Sequence, residues 1–184
     1  MPGSLHVLSP ELRNFQAPRL LTSVKGDFTA LVSVTGKIMP GTDPLPSPIG
    51  PGTLPFTFQG AGLLVWIDEG NYLRLERTSI YDSIEGKQHN LVLVEHCRDG
   101  KTTDSPREAR NTDLTLKFER RGSEIRCSYN PDGRNWLEVK RQNVAFPAEV
   151  KIGVSASNAS PKPFSAHLED FQIIGGTPSA GKGM

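Results

Sequence analysis

Apolar and polar positions alternate with period two through residues 113–139, DLTLKFERRGSEIRCSYNPDGRNWLEV. That period is the signature of a half-buried strand. Leu114, Leu116 and Phe118 point one way, and Thr115, Lys117 and Glu119 point the other. Gly122-Ser123 offers a turn, because glycine takes positive φ without a Cβ clash. A hairpin closed there pairs Phe118 with Cys127 and Leu116 with Tyr129. The apolar sets then share one face, and Lys117, Glu119, Arg126 and Ser128 share the other. Asn130-Pro131-Asp132-Gly133 supplies a second turn. Trp136 and Val139 resume the pattern after it.

Residues 59–78, QGAGLLVWIDEGNYLRLERT, read as a second hairpin turning at Glu69-Gly70. That turn pairs Ile67 with Tyr72 and sorts the side chains into two sets. Leu64, Trp66, Leu73 and Leu75 form the expected core face. Val65, Ile67, Tyr72, Arg74 and Glu76 form the expected outer face. Further strands are expected at 20–22, 27–36, 90–97, 149–157 and 164–174. The strand at 90–97 closes at the Asp99-Gly100 turn, and residues 101–112 are read as a polar loop. Residues 39–55 hold six prolines and are expected as a long surface loop. Residues 1–14 are an irregular lead-in to a domain over 15–174, and Gly-rich 175–184 are a flexible tail.

Composition agrees with this layout. A chain of 184 residues with 18 glycines and 15 prolines, and no helical periodicity, favours one all-β domain. Ten or so short strands point to a β-sandwich or jelly roll of two antiparallel sheets. A domain of this size buries roughly 70% of its unfolded surface, so it needs no metal or disulfide staple. The formal charge is +1 with both signs interspersed, which argues against nucleic acid as a partner. No apolar run has membrane-spanning length, so no membrane role is expected. The N-terminus lacks a basic start and an apolar run, so the expectation is a cytoplasmic protein, or a domain excised from a larger one. Cys97 and Cys127 sit in strand-like runs and are expected as buried free thiols. Asn158-Ala159-Ser160 is a glycosylation sequon that matters only in a secreted protein.

Four segments carry a resemblance: AGLLVWIDEGNYLRLER, YNPDGRNWLEV, KIGVSAS and FSAHLEDFQI. Together they resemble the concanavalin A-like lectin/glucanase superfamily, and within it a family of unknown function that includes the fungal regulation-of-enolase protein. The resemblance covers residues 15–174. It is most specific at Asp132, Gly133 and Trp136 and at Glu169-Asp170-Phe171. It implies a jelly roll of two packed sheets, one concave, and a sugar-binding role of the kind found in modules attached to glycosidases. It brings no catalytic residues with it.

Glucanases on this fold set their acids as E-x-D-x-E or E-x-D-x-x-E on one strand, where alternation aims them into one cleft. No such spacing occurs here, and Asp68-Glu69 and Glu169-Asp170 are adjacent pairs that a strand would point apart. The chain is therefore not read as an enzyme. The C-terminal GTPSAGKG approaches a phosphate-binding loop, but no Ser or Thr follows the lysine. The histidines His6, His89, His96 and His167 show no ligand spacing. Asp68, Glu69 and Asn71, and likewise Asn130 and Asp132, could hold calcium, but turn preference alone explains them. No cofactor and no metal is expected.

The candidate site is the face bearing Tyr72, Arg74 and Glu76. An aromatic plane serves a sugar's C–H face, and planar polar groups serve its hydroxyls. Lys117, Glu119 and Arg126 are candidates to join that face. Its competing reading is a solvated sheet with cross-strand ion pairs. Trp66 and Trp136 are read as core. Three functions follow: a non-catalytic carbohydrate-binding module, a protein-interaction or regulatory domain, and an unrecognised glycoside hydrolase. Oligomeric state is left open.

Overall fold

A computed structural model describes residues 5–178. Among them lie eleven strands and no helix. In chain order the strands are β1 (Leu5–His6), β2 (Arg19–Thr35), β3 (Phe56–Asp68), β4 (Asn71–Asp82), β5 (Lys87–Arg98), β6 (Lys101–Glu108), β7 (Leu114–Arg121), β8 (Glu124–Asn130), β9 (Leu137–Asn143), β10 (Glu149–Ala159) and β11 (His167–Pro178). Every pairing is antiparallel. The architecture is the expected β-sandwich of two antiparallel sheets.

The two sheets share one strand. The first runs β6-β5-β4-β3-β10-β2, and the second runs β11-β2-β7-β8-β9. The first part of β2 (Arg19–Lys25) pairs with β10, while Phe28–Val34 pairs with β7. Two separate strands were expected here, at 20–22 and 27–36. Gly26, at φ +85°, is where the strand turns from one sheet into the other, a backbone state that glycine adopts freely. On the opposite side the free edges β6 and β9 meet through side chains. Lys140 Nζ donates to Ser105 Oγ at 3.0 Å, and Arg107 donates to the Glu138 carbonyl at 2.8 Å.

The core between the sheets is the apolar set that alternation selects, except that Val65 and Ile67, expected on the outer face, face inward. Leu63, Val65, Leu73 and Leu75 of the first sheet meet Phe28, Val32, Leu116 and Phe118 of the second, all buried. The Gly122-Ser123 hairpin has the expected register, Phe118 opposite Cys127 and Leu116 opposite Tyr129. Both cysteines are buried and free.

Four expectations are corrected. Trp66, not Ile67, pairs with Tyr72, because a β-bulge at Ile67 separates that pair from Asp68–Asn71 at the turn. One extra residue moves Leu64 and Trp66 off the core face and onto the face of Tyr72. Residues 101–108 are a strand, not a loop; Pro106 is tolerated because β6 is an edge. Trp136 is 40% exposed rather than core. It precedes β9, and its ring lies under Lys117 Nζ at 4.2 Å rather than in the core. Finally, β11 continues through Gly175–Pro178, while 179–184 of the expected tail, and with them most of GTPSAGKG, lie outside the described residues. Asn158 of the sequon is buried on β10.

Candidate functional site

The outer face of the first sheet holds the site. Cross-strand register sets Tyr72 beside Cys97, Arg74 beside Glu95 and Glu76 beside Leu93. It then sets Glu95 beside Asp104 and Cys97 beside Thr102. On the other flank, Ser155 and Ser157 of β10 face the same way. Arg74 is the hub. It donates to Glu95 Oε2 at 2.7 Å and to Ser157 Oγ at 3.0 Å, and lies 3.6 Å from Glu76 Oε2. Ser155 and Ser157 donate to Glu76 Oε1 at 3.4 and 3.3 Å. Gly60 of β3 leaves room for this packing: a Cβ there would meet Thr78 Oγ1 at 2.8 Å and Glu76 Oε2 at 3.0 Å.

The residues before β2 fold over part of this face. The Tyr72 hydroxyl stands 3.0 Å from the Leu8 carbonyl and donates its proton to Glu95 Oε1 at 2.8 Å. Leu8, Ala17, Leu64, Trp66, Tyr72 and Cys97 form a second apolar cluster, with Trp66 and Tyr72 stacked at 5.7 Å and Arg19 over the Trp66 ring. This cover explains a correction. Tyr72, Arg74 and Glu76 are on the predicted face but are 0%, 4% and 1% exposed, not solvated. The short lead-in carries no periodic signal that could have announced its place on the sheet.

What remains open is a groove of about 350 Å³. Phe56, Phe58, Ile80, Leu93 and Leu12 give it an apolar wall. Arg74, Glu95, Asp104, Thr102 and Glu11 give it a polar one. Glu11 reaches in from the lead-in, bound by Thr102 Oγ1 at 2.5 Å and Ser9 Oγ at 3.0 Å. Burial opposes its charge, but the Thr102 and Ser9 hydrogen bonds hold its carboxyl below the ordinary range. Burial and then Glu95 push the Asp104 carboxyl up. Burial pushes Glu76 up against the pull of Arg74. Burial opposes the charge on Arg74 too, yet Glu76 and Glu95 outweigh it and raise its pKa. Burial, then Glu95, raises the Tyr72 phenol.

Lys117 and Arg126 do not join this face. Both lie on the outer face of the second sheet, across the core from Arg74. Lys117 pairs with Glu119 at 3.0 Å and sits 4.2 Å over the Trp136 ring. Arg126 pairs with Glu138 at 3.2 Å. Sequence reasoning missed Glu95, Asp104, Phe58 and Glu11. The Asp99-Gly100 turn was the available signal, since a two-residue turn after one strand calls for another returning beside it.

A larger hollow of about 880 Å³ lies at one end of the sandwich, between Gly36-Lys37, residues 108–114 and Tyr129–Asp132. Backbone carbonyls and one amide of its lining hold neighbouring loops together. Buried Arg77 donates to the carbonyls of Val34 at 3.0 Å and Thr112 at 2.6 Å, and to that of Gly36. Asn111 bonds both backbone groups of Ile38, at 3.1 and 2.7 Å. Among the described residues no group of three His, Cys, Asp or Glu is placed to hold a metal ion.

The profile of a family described as "Protein of unknown function (DUF1349)" matches residues 49–175. Among solved structures, a functionally unknown protein from Saccharomyces cerevisiae is similar at TM-score 0.63 and 17% identity, covering 98% of this chain and 86% of that one. The GH43 BlXynB protein from Bacillus licheniformis is similar at TM-score 0.60 and 17% identity, covering 80% of this chain and 27% of that one. A xylan beta-1,4-xylosidase from Bacillus halodurans C-125 is similar at 0.58 and 12% identity, covering 80% and 27%. This chain therefore spans about a quarter of those two proteins. No curated protein matches the sequence.

Proposed function

The chain belongs to the family of unknown function whose profile spans residues 49–175, and we propose that it is a carbohydrate-binding module that holds its ligand in the groove over Arg74. The observation carrying this reading is the two-sided groove. Phe56 and Phe58 offer apolar surface for a sugar's C–H face, and Arg74, Thr102 and Asp104 offer hydrogen bonds to its hydroxyls. The polar wall is preorganised, because Arg74 is fixed by Glu95, Glu76 and Ser157 before a ligand arrives. Binding to a panel of plant and microbial oligosaccharides tests it. Phe58→Ala should abolish binding while leaving the thermal unfolding cooperative. Retained binding in that variant would move the site elsewhere.

One observation favours a second reading, glycoside hydrolysis. Glu95 and Asp104 are direct cross-strand partners on the groove side. Cross-strand partners project side by side from one face, which is how a glycosidase presents its two carboxyl groups to one cleft. Turnover of aryl glycosides that disappears in Asp104→Asn, and in Glu95→Gln at a temperature where that variant is still folded, would establish it.

A further inference from the structure

The groove has an excess of negative charge that a neutral sugar does not answer. Three carboxylates line it, Glu11, Glu95 and Asp104, against one guanidinium. Arg74 is already committed to Glu95 and Glu76. Asp104 makes no ion pair among the described residues; burial and Glu95 push its carboxyl up against the pull of Arg74, and Glu11 adds to the push. Two further groups on the groove lining are buried without a partner among the described residues: Arg74 Nε, on a side chain 4% exposed, and Thr78 Oγ1, on one 3% exposed.

We propose that the groove selects a sugar carrying a free amine, an unacetylated hexosamine residue, with its ammonium at Asp104 and Glu11 and its ring against Phe58. This rests on the carbohydrate-binding reading and deepens it. The ammonium supplies the missing counter-charge. Leu12, Ile80 and Leu93 complete the apolar wall against which the ring lies. N-acetylation removes the charge and adds a methyl beside carboxylates, so it discriminates twice.

The test is calorimetric titration of the full chain near neutral pH with three probes of equal length: a glucosamine oligosaccharide, its N-acetylated counterpart and a neutral glucose oligosaccharide. A charge-assisted hydrogen bond of ordinary strength gives the amine an advantage of about tenfold or more over the acetylated sugar. That advantage should shrink with added salt and collapse toward parity in Asp104→Asn. Asp104 is exposed and makes no hydrogen bond that the fold needs, so this variant tests the contact and not folding. Equal affinity for all three probes, or an amine preference that survives Asp104→Asn, overturns the inference and leaves the carbohydrate reading standing. Binding by none of the three overturns the inference, and the panel in the preceding section then decides the wider reading.

Discussion

The Tyr72 hydroxyl and Glu95 Oε1 meet at 2.8 Å on adjacent strands, one diagonal step apart in the register. The same carboxylate spends its other oxygen on Arg74 at 2.7 Å. Glu95 thus ties the stacked aromatic cluster under the lead-in to the charged groove beside it.

Tyr72→Phe removes the phenol and keeps the ring. Glu95 keeps Arg74, so the loss is one hydrogen bond to a charged group, about 1.5–3 kcal/mol. Urea unfolding should show a lower midpoint with an unchanged slope. An unaltered midpoint would mean that the hydroxyl contributes nothing.

Glu95→Gln is more severe. Arg74 keeps Glu76 at 3.6 Å but loses its shorter pair while remaining buried. Removing one partner of a buried pair costs about 3–5 kcal/mol. The apolar replacement of the whole group should be milder than this single change, since it strands no charge. Comparing the two variants by calorimetry separates pairing from packing.

Asp104 gives a pH signature. Burial and Glu95 raise its carboxyl above the unfolded value, which is about 3.9. The folded protein keeps that proton to higher pH than the unfolded chain does, so stability falls as pH rises between the two values. Asp104→Asn should raise the Tm at neutral pH, and the difference should vanish in acid. The opposite sign at neutral pH would place a cation beside Asp104.

Gly62→Ala tests the close approach of β3 and β4. A Cβ there would run into the Leu75 carbonyl and stand 2.7 Å from Leu116 Cδ1. Neither can move away freely within a packed sheet, so a cost of about 1–3 kcal/mol is expected from overpacking. A Tm equal to that of the wild type would show that the sheets have slack.

Lys117→Ala and Arg126→Ala serve as controls. Both residues lie on the other outer face, in exposed or half-buried ion pairs. Stability should change by no more than about 1 kcal/mol, and affinity for any saccharide should not change. A drop in affinity would put ligand on the second sheet.

Alternation made the core legible. Leu73, Leu75, Leu116 and Phe118 all point inward as the pattern requires. It also placed Tyr72, Arg74 and Glu76 on a common outer face, because period two is indifferent to distant structure. It failed where a single inserted residue mattered: the bulge at Ile67 carries no composition mark, yet it reassigns Trp66 and Leu64. It failed again at β6, whose polar run KTTDSPRE reads as a loop because an edge strand buries so little. Sheet membership was beyond it altogether. Lys117 and Arg74 have the same local pattern, and only the long-range path of β2 puts the core between them.

The placement of the two ends of the described chain has a practical reading. Leu5 enters beside Ala159 on the first sheet, a few residues ahead of Ser9, Glu11 and Leu12 at the rim of the groove. Pro178 leaves from β11 on the second sheet. A purification tag or fusion partner attached upstream would hang next to the proposed binding groove and compete with whatever is being measured. The same cargo attached downstream would follow a strand, β11, whose described residues pair with β2 and not with the groove strands.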